Sequence, residues 1–200
     1  MIKDARTRYP VNEISRTRWS PRAFADKPVE KEKLQSIFEA ARWSASSSNQ
    51  QPWRFMIGFK NDATWQKIFE TLDDWNRKWA YNAPVFLMSI GRKTTVRSNR
   101  DNFHFAYDTG QSVVHMTFEA MSQGLYVHQM GGFDRQKASE LFCIPEVYQP
   151  LTVIVIGYLG DPEILLEEYK KTEREPRKRK NFDEIVFSGM FGEKSGLFND

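Results

Sequence analysis

The chain has 200 residues, a formal net charge of +3 and 14 % aromatic residues, enough length and apolar content for one folded domain. This composition argues against a disordered chain, and a single cysteine, Cys143, excludes a disulfide scaffold and a multi-thiolate metal site. The longest apolar runs, 84–91 and 151–160, are far shorter than the ~20 residues that span a bilayer, and no secretory leader opens the chain. We therefore expect one cytoplasmic domain over residues 1–200, with no membrane partner.

The first half of the chain alternates between helical and strand-like patterns. Apolar residues recur at three- and four-residue spacing in 29–43, which predicts a helix. Residues 53–60 alternate as in a half-buried strand. Asn61 is expected to cap a second helix, whose apolar stripe ends at Leu72, and a strand follows at 84–91.

A basic loop over residues 91–102 leads into a long helix predicted for residues 104–123, which Gly124 ends. The apolar residues of this helix spread around its circumference, which is typical of a helix buried on more than one side. We expect it to be a central helix or to pack in a dimer interface.

The last elements predicted are a strand at 125–130, a helix at 134–143 capped by Asp134, and a buried strand at 151–160. The mixed order of helices and strands predicts an α+β fold of three layers, with a central mixed or antiparallel sheet flanked by helices.

Three polar features stand out against this framework, and the first is residues 16–24, RTRWSPRAF. Arg18, Ser20 and Arg22 alternate there, so in extended backbone they project to one side and suit a phosphate group. The alternative is a solvated basic turn.

The second feature is residues 170–180, where seven Lys and Arg against two Glu give a local charge of +5. An exposed tail and a nucleic-acid patch are the alternatives, but no aromatic residue interleaves the charges. The segment also runs directly into the apolar-patterned NFDEIVF, so we expect it to fold in and to share an anion with Arg18 and Arg22.

The third feature is residues 128–134, HQMGGFD, in which Gly131 and Gly132 follow a predicted strand. Glycines at a strand end let a backbone approach a flat ligand closely, with free N–H groups as donors. The alternative is an ordinary turn in which Asp134 caps the next helix, and the two readings are compatible.

Other site signatures are absent from the sequence. His104, His115 and His128 lie in separate segments without ligand spacing, so no metal site is expected. Cys143 lies among apolar residues late in a predicted helix, which favours buried packing over a nucleophile.

The polar loop SASSSNQQPW (44–53) completes a pattern. The chain resembles the FMN-dependent nitroreductase-like flavoproteins over about residues 14–190. The motifs that carry the resemblance are this loop together with R-x-S-x-R-x-F, G-G-F, and R-x-R before E-I-V-F. The resemblance implies a homodimer with FMN at the interface of the subunits. Ala45 stands where the family often has proline, which implies a less rigid loop.

The resemblance also implies roles for individual residues. The phosphate and ribityl groups of FMN would contact Arg18, Ser20, Arg22, Arg177 and Arg179. The partner subunit would contribute Ser46, Ser47 and Asn49. The ring would contact Met130, Gly131, Gly132 and Asn76, with Asn82 as a nearby alternative to Asn76.

The implied activity is hydride transfer from NADH or NADPH through flavin N5 to a small-molecule acceptor such as a nitroaromatic or quinone. The Gly131 N–H would act at N5, and Phe103, Phe105 and Tyr107 would line the open ring face or pack in the dimer interface. Reductive dehalogenation or flavin modification on the same fold is the nearest alternative, and a nucleic-acid-binding protein is the alternative outside enzymes.

Overall fold

A computed structural model describes residues 3–198. Its sheet is antiparallel throughout, with strand order β1-β2-β4-β3. The strands, in chain order, are β1 (Trp53–Phe59), β2 (Val85–Arg92), β3 (Tyr126–Met130) and β4 (Tyr148–Gly157).

The helices that flank the sheet are α1 (Glu13–Thr17), α2 (Lys31–Arg42), α3 (Ala63–Thr71), α4 (Asp74–Ala80), α5 (Phe105–Ser122), α6 (Arg135–Leu141) and α7 (Glu167–Arg174). None of the helices within residues 3–198 is long and apolar enough to cross a membrane.

Side chains of β2 point alternately to two separate cores, as the two-residue period of a strand requires. Val85 and Leu87 pack with α2 and α5 on one face of the sheet. Phe86 and Met88 pack with α3, α4, α6 and α7 on the other face. The predicted three-layer α+β fold is therefore confirmed, and the sheet is antiparallel and not mixed.

The element boundaries differ from the prediction by a few residues. Asp62, and not Asn61, caps α3, because its carboxylate accepts the Trp65 N–H at 2.6 Å while Asn61 adopts a left-handed φ of 76°. The predicted cap at Asp134 is confirmed, and its carboxylate accepts the Lys137 N–H at 2.9 Å.

The prediction of a buried Cys143 is wrong. Helix α6 ends at Leu141, and Cys143 lies beyond it in left-handed backbone with a φ of 49° and an exposed side chain. Phe142 and Ile144 pack against the core on either side of it, but the thiol of Cys143 between them is exposed.

The short helices α1, α4 and α7 were not predicted, because five to eight residues give too little periodicity to recognise. Helix α4 forms around a capping interaction, in which the Asp73 carboxylate accepts the Asn76 N–H at 2.8 Å. All three helices hold residues near the candidate site.

Helix α5 covers the sheet with one side and leaves the other open. Val113, Met116 and Ala120 are buried against the sheet and α2. Val114 and Phe118, on the opposite side, are 46 % and 37 % exposed. The apolar circumference that the sequence shows is therefore only half buried within one chain.

Candidate functional site

The fold brings together arginines from the two ends of the chain. Burial lowers the pKa of Arg18, and the nearby charge of Arg179 lowers it further. Burial also lowers the pKa of Arg177, followed by the charges of Arg18 and Arg179. Within residues 3–198 none of these three guanidinium groups forms a salt bridge with a carboxylate. We call Arg18, Arg177 and Arg179 the arginine cluster, and it is a concentration of positive charge without a counter-ion.

Arg22 differs from the arginine cluster because a carboxylate faces it. Its Nη1 is 3.9 Å from Oε2 of Glu173, and its guanidinium lies over the Tyr169 ring at 5.8 Å. Arg18 and Arg22, which the alternating spacing predicted on one common side, therefore lie in two different environments. Arg22 Nε and Trp19 Nε1 are buried donors with no acceptor in the described part of the chain, which is costly unless a further group supplies one.

The end of β3 and the start of α4 form a second part of the site. Asn76 is buried, and its Nδ2 donates to the Gly132 carbonyl at 3.1 Å. A Cβ at Gly132 would collide with the Asp73 carboxylate and lie 2.8 Å from Asn76 Nδ2, so this approach requires glycine. A Cβ at Gly131 would meet nothing within 4 Å. Asn82 is elsewhere and accepts from Lys60 Nζ at 2.6 Å.

Strand β3 leads to this glycine pair, and two of its residues make hydrogen bonds that hold it in place. The Met130 side chain is in the core, and its carbonyl accepts from Thr152 Oγ1 at 2.8 Å. His128 Nδ1 lies 2.7 Å from the Pro21 carbonyl, which can only accept, so Nδ1 carries the proton. Burial lowers the pKa of His128 to about 4, so the ring is neutral near pH 7. Ser20 is exposed beside this contact.

The polar loop at residues 44–52 adopts an unusual backbone. Ser48, Asn49 and Gln51 have positive φ values of 50°, 52° and 47°, which side-chain-bearing residues rarely adopt. Hydrogen bonds hold the loop: Gln51 N donates to Ser46 Oγ at 3.0 Å, and Ser47 N donates to Asp108 Oδ2 at 3.1 Å. Among the described residues, no hydrogen bond joins this loop to the arginine cluster or to Gly132.

The three aromatic residues near the start of α5 are not equivalent. Phe103 and Tyr107 are 90 % and 69 % exposed. Phe105 instead packs over Gly91, where its ring would lie 2.7 Å from an added Cβ. Only Phe103 and Tyr107 are therefore free to line an open surface in the single chain.

Two functional candidates were missed in the sequence. Asp108 is 2 % exposed on α5 and fixes the polar loop, and Glu173 is 1 % exposed within the basic segment. The available signal was a carboxylate near the start of an otherwise mostly uncharged helix, and a carboxylate among cations. In the described part of the chain, no group of three or more His, Cys, Asp or Glu is placed to hold a metal ion.

Known proteins are similar to this chain in sequence and in fold. The nitroreductase family model matches residues 15–75 and 59–158. A crystal structure described as an oxidoreductase containing FMN is 34 % identical, with a TM-score of 0.89 over 95 % of this chain and 97 % of that one. A Streptomyces coelicolor protein, provisionally named an NADH dehydrogenase/NAD(P)H nitroreductase, is 32 % identical over 81 % of this chain and 83 % of its own length. An uncharacterised 15.4 kDa protein of Mycolicibacterium smegmatis is 33 % identical over 44 % of this chain, and the match spans 58 % of that protein.

The fold is that of a three-layer α+β protein, and it brings together arginines from the two ends of the chain. The chain belongs to the nitroreductase family, because the family model matches well over half of it. The resemblance noted from the sequence motifs is therefore confirmed.

Proposed function

We propose that this chain is an FMN-dependent oxidoreductase that takes hydride from NADH or NADPH and passes it to an electrophilic organic acceptor, such as a nitroaromatic or a quinone. The observation that carries the proposal is the arginine cluster: Arg177 Nη1 donates to the Arg16 carbonyl, two residues before Arg18, and no carboxylate is paired with the three cations within residues 3–198. A structural ion network would contain both signs of charge. A cluster of one sign instead fits a ligand that supplies the anion, and the phosphate of FMN is such a group.

Arg18, Arg177 and Arg179 would hold the FMN phosphate, with Ser20 beside them. Arg177 is already oriented for this role, because its Nη1 donates to the Arg16 carbonyl at 2.9 Å. Arg22 would contribute through its unpaired Nε. The site therefore offers unused donors as well as positive charge.

Gly131, Gly132 and Asn76 would form the edge that faces the isoalloxazine ring. When bound, FMN supplies the hydride chemistry, and the protein supplies position and electrostatics. Gly131 is exposed and has open space around its Cα, so its N–H is accessible to a flat ligand. The Met130 side chain is buried in the core, so Met130 would contact a ligand through its backbone.

We propose further that two copies of the chain assemble through the open side of α5. A groove of about 470 Å³ runs along this side, lined by residues that include Tyr107, Gly110 and Val114. Ser46, Ser47 and Asn49 would complete the site of the partner subunit, since their loop is fixed to α5 through Asp108. Apolar surface of this kind on a helix is typically covered in an obligate dimer.

Donor and acceptor would bind in turn at the same open face, lined by Phe103 and Tyr107. The sequence contains no glycine-rich fingerprint for a dinucleotide, so one pocket would serve both substrates. Steady-state kinetics should therefore be ping-pong, with parallel double-reciprocal lines.

Absorbance spectroscopy tests the proposal directly. The purified protein should be yellow, and anaerobic NADH or NADPH should bleach the flavin band before any acceptor is added. A colourless protein that does not take up FMN would refute the cofactor assignment. A yellow protein that neither dinucleotide bleaches would refute the donor assignment alone.

A further inference from the structure

Glu173, in the last turn of α7, joins the two ends of the chain. Its side chain is 1 % exposed. Oε1 accepts the backbone N–H of Arg22 at 2.8 Å and that of Ala23 at 3.2 Å, across a separation of about 150 residues. These contacts are to backbone, so they fix the path of the N-terminal segment independently of which side chains it carries.

Two further side chains, those of Lys3 and Arg177, connect the N-terminal segment to α7 and the residues after it. Lys3 Nζ donates to the carbonyls of Thr172 and Glu173, at 3.0 and 2.7 Å. Arg177 Nη1 donates to the Arg16 carbonyl at 2.9 Å. The N-terminal segment is thus held at Arg16 and at Arg22, and Arg18 lies between these two points.

The arrangement has an electrostatic cost. Like charges repel, and before an anion binds the hydrogen bond from Arg177 Nη1 to the Arg16 carbonyl is one contact that opposes the separation of these arginines. The Glu173 hydrogen bonds oppose it, because they tie the segment that precedes Arg177 and Arg179 to the segment that contains Arg18. A binding site held in its bound geometry loses less free energy on binding than one that must first assemble.

We infer that Glu173 is a positioning residue, which holds the arginine cluster together for the phosphate group of the cofactor through its hydrogen bonds to the Arg22 and Ala23 amides. The inference rests on the proposed function. It assigns the effect to the placement of the Glu173 oxygen and not to its negative charge.

Two conservative variants separate placement from charge. Glu173→Asp keeps the charge but withdraws the carboxylate by one methylene, and Glu173→Gln keeps an acceptor in place but removes the charge. Glu168→Gln is the matched control, because Glu168 is an exposed carboxylate on the same helix. Affinities for FMN and for riboflavin, which lacks the phosphate, are measured by flavin fluorescence on the apoprotein, with thermal unfolding of each variant as a check on folding.

Glu173→Asp should lower FMN affinity about tenfold and leave riboflavin affinity within about threefold of wild type. Glu173→Gln and Glu168→Gln should both remain within about threefold of wild type for either flavin. An equal loss for FMN and riboflavin in Glu173→Asp would reveal a merely structural role and overturn the inference, as would wild-type FMN affinity in that variant. A loss in Glu173→Gln as large as in Glu173→Asp would also overturn it, because charge would then be the cause.

The wild type separates this inference from the proposed function. If the wild type binds neither flavin, the proposed function fails and the inference fails with it. If the wild type binds FMN much more tightly than riboflavin and the variants behave otherwise than stated, only the role of Glu173 is wrong.

Discussion

Removing two members of the arginine cluster should separate cofactor binding from folding. The double variant Arg18→Ala/Arg179→Ala deletes one cation from each end of the chain and leaves Arg177 as the remaining one. The two guanidinium groups have no carboxylate partner within residues 3–198, so their loss breaks no ion pair there. It also removes the two charges that, after burial, lower the pKa of Arg177.

The magnitude follows from the hydrogen bonds that are lost. A hydrogen bond to a charged group contributes about 1.5–3 kcal/mol, so two such contacts are worth about 3–6 kcal/mol before Arg177 compensates in part. We therefore expect FMN affinity to fall by about a hundredfold or more, since 1.4 kcal/mol corresponds to a factor of about ten. The melting temperature of the apoprotein should be unchanged or slightly higher.

Fluorescence titration of the apoprotein with FMN and riboflavin, together with thermal unfolding, measures both quantities. The control is Arg97→Ala/Arg100→Ala, which removes the same charge from an exposed loop. Riboflavin should bind all three proteins with similar, weak affinity. Unchanged FMN affinity in the cluster variant, or an equal loss in the control, would show that the phosphate is not bound by these arginines.

The remaining predictions concern pH, packing and assembly. Because the folded pKa of His128 is about 4, against about 6.5 unfolded, the unfolded state takes up the proton first as the pH falls. The free energy of unfolding should therefore fall by about 3 kcal/mol between pH 6.5 and 4, and His128→Gln should remove this pH dependence in urea titrations. The same pH dependence in the variant as in the wild type would contradict the burial of the ring. Gly132→Ala should destabilise the fold by about 1–3 kcal/mol in the same titrations, while Gly131→Ala should not; equal effects would contradict the packing at Gly132. Val114→Lys should convert a dimer into monomers in analytical ultracentrifugation, and a wild-type monomer would contradict the proposed interface.

Much of the fold could be predicted from the sequence because its longer elements carry their own periodicity. The stripe of α2, the alternation of β1 and the apolar run of β4 each predict an element of the observed type. The short helices α1, α4 and α7 could not be predicted in the same way. Their stability comes from capping and from tertiary packing, which a local pattern does not contain.

The sequence by itself determined which chemical groups are available: paired arginines at both ends, two adjacent glycines after a strand, and a polar loop before Trp53. Tertiary structure alone decided which of them meet. It placed Arg18 with Arg177 and Arg179 but directed Arg22 to Glu173, and it placed Asn76, not Asn82, beside Gly132. It also left Cys143 exposed despite apolar neighbours in sequence. The physical reason is that periodicity reports which face of an element is apolar, whereas contacts between residues about 150 positions apart depend on how whole layers pack, and no local pattern records that.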